Sequence, residues 1–225
     1  MNHLLVSVVV PVYNGERFLG EALESAMAQD YPRLDVVVVD DGSTDGSAAV
    51  ARRFPVRLLQ QPNRGVAVAR NAGIAATQGE YIAFLDQDDL WLPGKTELQA
   101  GFLDAHPATI AVLSYQRLFL EPGVERPSWL KEEHLARPQV GYLPSALMAR
   151  REAFARIGAF DPSYSTASDA DWFFRAAGLG LQPLVLPDVL VNRRIHEANQ
   201  SHSSGIVPRE LLRVARSAVA ARRDK

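Results

Sequence analysis

The sequence predicts an α/β fold, a mostly parallel sheet flanked by helices and joined to a smaller, less regular lobe. Continuous apolar, β-branched runs at 6–10, 36–39, 56–59 and 81–85 are separated by stretches of helical periodicity. Strand–helix–strand repetition of this kind implies right-handed crossovers and parallel pairing. The chain has 225 residues, 47% of them hydrophobic and 22% charged, which suits one substantial globular domain.

Each element follows from its local pattern. The run 6–10 reads as a strand covered on both faces. Phe18, Leu19, Ala22, Leu23, Ala26 and Met27 recur at helical spacing and stop before Tyr31-Pro32. After the strand at 36–39, Ser43 or Thr44 is placed to cap a helix carrying Ala48, Ala49, Val50 and Phe54. A third strand at 56–59 precedes a helix over Val66–Ala76, and Gly79 turns the chain into the strand at 81–85. Beyond it, 110–118 and 143–148 read as strands, 151–157 as a helix ended by Gly158, and 169–177 as another helix. Residues 121–138, rich in proline and charge, read as a loop or flap. The tail from Pro208 carries six basic residues against Glu210 and Asp224. One domain over 1–225 is expected, with halves at 1–90 and 91–205 and a terminal helix or tail at 208–225.

Composition removes several function classes. A formal net charge of −2 gives no electrostatic reason for a nucleic-acid partner. With no cysteine there are no disulfides, zinc–thiolate sites or thiol nucleophiles, which suits a reducing compartment. The apolar stretch 4–12 lacks a preceding Lys or Arg and a small-residue cleavage site, and it is far shorter than the roughly 20 residues a membrane span requires. A cytoplasmic protein is expected, with any membrane contact peripheral.

In open parallel sheets ligands bind beyond the carboxyl ends of the strands. Four consecutive predicted strands end there in polar turns: Pro11-Val12-Tyr13-Asn14-Gly15, Asp40-Asp41-Gly42-Ser43-Thr44-Asp45, Gln61 with Asn63, Arg64 and Gly65, and Asp86-Gln87-Asp88-Asp89. Carboxylates at 86 and 88 can reach one hard divalent cation such as Mg²⁺ or Mn²⁺, which in turn binds a diphosphate. The competing reading is that these acids cap a helix around residues 90–95. Of Asp40 and Asp41, one serves the turn and the other is free to accept a hydrogen bond from a nucleobase or ribose. Arg64 and Arg70 are candidates for phosphate oxygens.

These segments carry a family resemblance. Residues 6–15 (VSVVVPVYNG), 38–45 (VVDDGSTD), 63–73 (NRGVAVARNAG) and 79–89 (GEYIAFLDQDD) resemble family 2 glycosyltransferases, inverting enzymes of the GT-A fold, almost continuously over the first ninety residues. The resemblance implies a nucleotide-sugar donor held by the 1–90 half, with Asp41 on the base, Tyr13 beside it, and Pro11 and Asn14 in the same pocket. It implies Asp86 and Asp88 as the D-x-D pair, Asp88 being the firmer metal ligand, with Mn²⁺ or Mg²⁺ as cofactor. Asp169 falls on the catalytic-base position, Ser168 stands where Glu is common, and Asp171 is the alternative base. Arg193-Arg194-Ile195-His196 looks like the late histidine element that closes over metal and diphosphate. The Gln-x-x-Arg-Trp signature of processive synthases is missing, which implies transfer of one sugar per encounter. A uridine base is implied at family level; the acceptor is not.

The chemistry requires the same parts. Displacing a nucleoside diphosphate needs its charge neutralised and the acceptor hydroxyl deprotonated, and a single displacement inverts the anomeric centre with one base. Two rival enzyme classes lose on position: an aspartyl phosphotransferase places its D-x-D after the first strand, and a dinucleotide enzyme needs a glycine fingerprint there. A non-catalytic nucleotide- or sugar-binding protein on the same fold remains as the alternative, kept open by Ser168. Trp172, Phe173 and Phe174 read as core, with Trp91 and Trp129 as candidate sugar platforms. Leu211, Leu212, Val214, Ala215, Ala218 and Val219 could line a membrane-facing side of the tail, against a packed terminal helix. The sequon at Asn199-Gln200-Ser201 reads as chance.

Overall fold

In the computed structural model, which describes residues 3–199 and 206–223 (side chains of 208–217 within the latter), β1 (Val6–Val12) is the central strand of the first half. It is parallel to β2 (Leu34–Asp40) on one side and to β4 (Tyr81–Phe84) on the other, and β3 (Arg57–Gln60) extends β2 in parallel. Val6, Val8, Val9 and Val10 are wholly buried, as strands covered on both faces require. Each is worth about 1.5–3 kcal/mol relative to an exposed valine. Pro11 sits inside β1 without loss because its missing N–H faces the β4 side, where pairing has already ended at Val9–Phe84.

Helices cover this sheet. α1 (Leu19–Met27) buries Leu19, Ala22, Leu23 and Ala26, the predicted stripe. α2 (Ser47–Ala51) is a short turn of helix. α3 (Val66–Ala76) lies so close to β1 that a Cβ on Gly73 would stand 2.2 Å from Val9 Cγ1.

The second half continues the same sheet. β5 (Leu90–Trp91), α4 (Lys95–Ala105), β6 (Ala111–Leu120), α5 (Glu132–Ala136) and β7 (Gln139–Val140) come first. A 3₁₀ turn (Pro144–Ala146), β8 (Met148–Arg150), α6 (Arg151–Arg156), α7 (Ser168–Gly178), β9 (Leu184–Ile195) and α8 (Ile206–Arg223) complete the chain. The strand order is β3-β2-β1-β4-β8-β6-β9-β5, with β7 on β6. β8 joins β4 antiparallel and so ties the irregular half to the parallel one.

Several expectations are corrected. The strand expected at 143–148 is a 3₁₀ turn followed by β8, because Pro144 stops an extended ladder. The loop expected at 121–138 contains α5. Ser43 and Thr44 do not cap α2: Ser43 Oγ accepts from the Asn14 N–H, and Asp45 takes the Ser47 N–H instead. The acids at 86–89 do not cap a helix, since residues 90–91 are strand and α4 starts at Lys95 behind Gly94. The twelve residues of β9 had no counterpart in the sequence reading, as Pro187 interrupts their pattern. It is tolerated because the β6–β9 register breaks between Val185 and Val189.

Candidate active site

The four turns meet at one rim, and their own hydrogen bonds lock them together. Asn14, at φ 49°, turns the chain out of β1. Its side-chain oxygen accepts from the Thr44 N–H (2.8 Å), while Gly15 N–H donates to Ser47 Oγ (2.8 Å) and Glu16 N–H to Asp45 (3.0 Å). Gln87 bridges back, accepting from the Tyr13 N–H at 2.8 Å and donating to its carbonyl at 3.3 Å. Two glycines permit this closeness: a Cβ on Gly15 would stand 2.7 Å from Gln87, and one on Gly42, at φ 77°, 2.7 Å from the Asn63 nitrogen.

Asp40 and Asp41 divide the work. Asp40 accepts from the Ser43 N–H (2.9 Å) and from Gln60 (3.0 Å), holding its own turn. Asp41, buried, accepts from Gln61 Nε2 (2.7 Å) and from the N–H groups of Arg64 (2.9 Å) and Gly65 (2.7 Å). A carboxylate offers about four lone-pair directions, so one on Asp41 stays open. Tyr13 is exposed at the rim, as is the Arg64 side chain, whereas Pro11 is buried within β1 and presents no surface there.

The acidic turn faces three distant elements. Asp86 Oδ1 accepts from Arg70 of α3 at 2.7 Å. Arg70 is itself buried, lies over the Phe160 ring at 5.6 Å, and has an Nε without a partner among the described residues. Asp88 Oδ2 accepts from His196 Nε2 (2.9 Å, in the tautomer carrying that hydrogen) and Asn199 Nδ2 (3.0 Å). Asp89 is the buried member: Ser145 Oγ donates to it at 2.7 Å and in turn accepts from the Asp86 N–H at 3.0 Å. Burial, with the Asp88 and Asp86 charges added, holds the Asp89 carboxyl well above the usual range.

Asp169 stands at the start of α7, where Oδ1 accepts from the Ala170 N–H at 2.7 Å. Burial pushes its carboxyl up, against the pull of Arg70 and the Ala170 N–H, with Asp86 pushing further and Arg193 pulling down. Asp86, Arg70 and Asp169 thus form one electrostatic cluster. Asp171 does not join it. Two residues along a helix point about 200° apart, and Asp171 is buried in an ion pair with Arg175 at 2.8 Å. That arginine fastens the preceding turn through the Ile157 and Ala159 carbonyls.

Other expectations divide. Trp172 is fully buried core, and Trp91 is buried as well, its Nε1 on the Ser145 carbonyl at 2.9 Å, so it is no sugar platform. Trp129 and Phe174 are exposed. In the tail, Val214 is buried against Tyr164 and Ala167, while Leu211 and Leu212 face outward. The side chains of Ala218 and Val219, and residues 200 and 201 of the sequon, lie outside the described residues. No helix among the described residues is long and apolar enough to cross a membrane.

Sequence patterns assign no site role to Ser145 or Asn199, and name Arg194 only as part of the 193–196 element. Arg194 is buried between the Phe18 and Phe119 rings, paired with Glu21 and Glu121, and donates Nε to the Asp88 carbonyl at 3.1 Å. A second arginine beside a histidine was the one available signal; a lone Ser145 gave none.

The sequence profile described as Glycosyl transferase family 2 matches residues 7–162. The chain belongs to that family. Asp169, Asp171 and His196 lie beyond the match. The family member is 30% identical over 215 residues to an uncharacterized glycosyltransferase of Rickettsia typhi, covering 89% of this chain and 67% of the relative. It is 44% identical over 92 residues to glycosyltransferase GlyG of Streptococcus pneumoniae, covering 38% of this chain and 31% of that protein. Among solved structures, S. aureus TarS 1-349 in complex with UDP-GlcNAc superposes with TM-score 0.75 at 23% identity over 97% of this chain, and the chain spans 66% of that 1-349 segment. Mannosyltransferase PcManGT of Pyrobaculum calidifontis, in complex with GDP-Man and Mn²⁺, gives TM-score 0.67 at 26% identity over 88% of this chain and 59% of that one. The fold is GT-A, and the enzyme class is glycosyltransferase.

Proposed function

We propose that this glycosyltransferase transfers one sugar, with inversion, from a UDP-linked donor to an acceptor hydroxyl, Asp169 serving as general base. The observation that carries the proposal is the cluster of Asp169, Arg70 and Asp86 at the rim, with Asp88 and His196 adjoining. Asp171 is set aside as base because Arg175 holds it.

In this reading Asp41, through its open lone pair, accepts from the base, with Tyr13 alongside and Asn14 shaping the turn. Arg64 and Arg70 face the phosphates, the buried Nε of Arg70 being free to donate. The donor types at Asp86, Asp88 and His196 (two carboxylates and an imidazole) fit Mn²⁺ or Mg²⁺. Asp86, Asp88 and His196 would hold the ion, which would supply charge neutralisation at the leaving group. Asp169 takes the acceptor O–H proton as that oxygen bonds to the anomeric carbon and the bond to the diphosphate breaks, releasing the nucleoside diphosphate. A raised carboxyl is a better base near neutrality, and such a base contributes about 10²–10⁴-fold. We further assign the chain to the cytoplasmic side, with the basic tail available for peripheral membrane contact and residues 91–205 for the acceptor.

The test is release of UDP from UDP-GlcNAc, and of GDP from GDP-Man, with Mn²⁺, Mg²⁺ or chelator. Metal-dependent release from one donor is expected, reduced about 10²-fold or more in Asp88→Asn and in Asp169→Asn. Donor binding by calorimetry without release, under every acceptor tried, would favour a binding protein, the reading that Ser168 keeps open. No binding of any nucleotide-sugar would sink both.

A further inference from the structure

The turn before α7 is closed by a residue of α8. Glu210 Oε1 accepts from the Ser165 N–H and Oγ, both at 2.8 Å. Its Oε2 accepts from the Thr166 N–H (2.8 Å), the Thr166 hydroxyl (2.9 Å) and the Ala167 N–H (2.9 Å). Both oxygens are therefore saturated by three consecutive residues. Arg213, one turn further along α8, donates to the Ser163 carbonyl at 3.2 Å and to its hydroxyl, and lies over the Tyr164 ring at 4.2 Å. Val214 completes the contact, buried against Tyr164 and Ala167.

The position of this clamp gives it meaning. Ala167 is the N-cap of α7 and has no side-chain acceptor, so the helix begins without a cap of its own. The Glu210 carboxylate, brought from another helix, occupies the approach to that helix start, where the helix dipole favours negative charge. Asp169 follows two residues later, its Oδ1 tied to the Ala170 N–H. The path of residues 165–170 therefore sets where the Asp169 carboxylate stands.

We propose that Glu210 is a positioning residue: by fixing the turn that starts α7, it holds Asp169 in register with Arg70 and Asp86. The proposal rests on the reading of Asp169 as general base. Misplacement of a reacting group by about 1 Å can cost about 10²-fold in rate without weakening substrate binding. Loss of the clamp thus acts on kcat rather than on donor affinity, because the donor residues lie on the rim turns, on α3 (Arg70) and just past β9 (His196), and none is on α7 or α8.

The experiment compares wild type, Glu210→Ala, Glu210→Gln and Leu212→Ala, the last an exposed position on the same helix. Three quantities are read: kcat and KM for release of the nucleoside diphosphate from the active donor (UDP from UDP-GlcNAc or GDP from GDP-Man), affinity for that free diphosphate by calorimetry, and amide exchange by residue. In Glu210→Ala, kcat is expected to fall about 10- to 100-fold with KM and diphosphate affinity unchanged, and exchange to quicken over 165–171. Glu210→Gln, which keeps one acceptor oxygen, should fall between, and it carries the test if the alanine variant does not fold. Leu212→Ala should match wild type. Faster exchange with unaltered kcat would reduce Glu210 to a fastener of α8 and overturn the proposal, as would a rise in KM alone. An inactive wild type with both donors would remove the functional reading, and this proposal with it; an active wild type with an equally active Glu210→Ala removes the proposal alone.

Discussion

Lys95 should be neutral in the folded protein at mildly alkaline pH, and the pH dependence of stability should reveal it. Its side chain is wholly buried, 4.1 Å over the Trp91 ring, with Nζ donating to Gln99 Oε1 at 2.6 Å. Burial alone pulls its pKa from 10.5 to about 7. Between those values the unfolded chain holds a proton that the folded chain does not, so unfolding takes up one proton and stability rises with pH by about 1.4 kcal/mol per unit. The penalty is full below the folded value and gone above the unfolded one. Integrated from roughly pH 7.5 to 9.5, the gain is about 2.5 kcal/mol. Lys95→Met should abolish it. That variant also strands Gln99, at about 1–3 kcal/mol, but this cost does not vary with pH, so the slope is the quantity to read. Tyr31, raised to about 12 chiefly by burial, titrates beyond the window in both proteins. Urea unfolding of both proteins across that range measures the difference directly. Parallel stability curves would refute the reasoning and mean that Lys95 keeps its proton when folded.

Gly73→Ala should destabilise: the new Cβ meets Val9 Cγ1 at 2.2 Å on a central strand that cannot move, and overpacking of about 1–3 kcal/mol exceeds the roughly 1 kcal/mol gained in helix propensity. Calorimetry should show a lower Tm; an unchanged or higher one would mean that α3 slides freely over β1. For Glu210, burial pushes the carboxyl up but the hydrogen bonds from Ser165, Thr166 and Ala167 together outweigh it, bringing it to about 2 from 4.5. Its contribution is therefore present above 4.5 and lost as pH falls through about 2. The stability gap between wild type and Glu210→Gln should close over that acid range, as read by denaturant titration. The acid limb of kcat/KM should lie above the ordinary aspartate value of 3.8, because burial raises Asp169. A limb at or below 3.8 would remove Asp169 as the group that titrates.

The sequence by itself determined the parallel half. Strands β1 to β4 and helices α1 and α3 are written in β-branched runs and helical periods of a few residues each, and the rim follows from chain order, because a parallel sheet must place successive strand ends on one side. The types of residue at the rim were equally legible, since Asp, Asn and Gly at strand ends carry local turn chemistry as well as function.

Only the tertiary structure decided which of these residues meet. From sequence Asp169 falls on the base position with Asp171 as the alternative; the packing of α7 left Asp169 within the influence of the Arg70 charge and gave Asp171 to Arg175. His196 and Asp88 stand 108 residues apart in sequence and 2.9 Å apart in space. β9, which carries that histidine, was hidden by Pro187 and exists because β6 offers it a ladder. Glu210 read as one acid in a basic tail until α8 folded back onto the start of α7. Local pattern fixes backbone conformation because its causes lie within a few residues. Side-chain partnership depends on how far elements turn and how closely they pack, and no single segment holds that information.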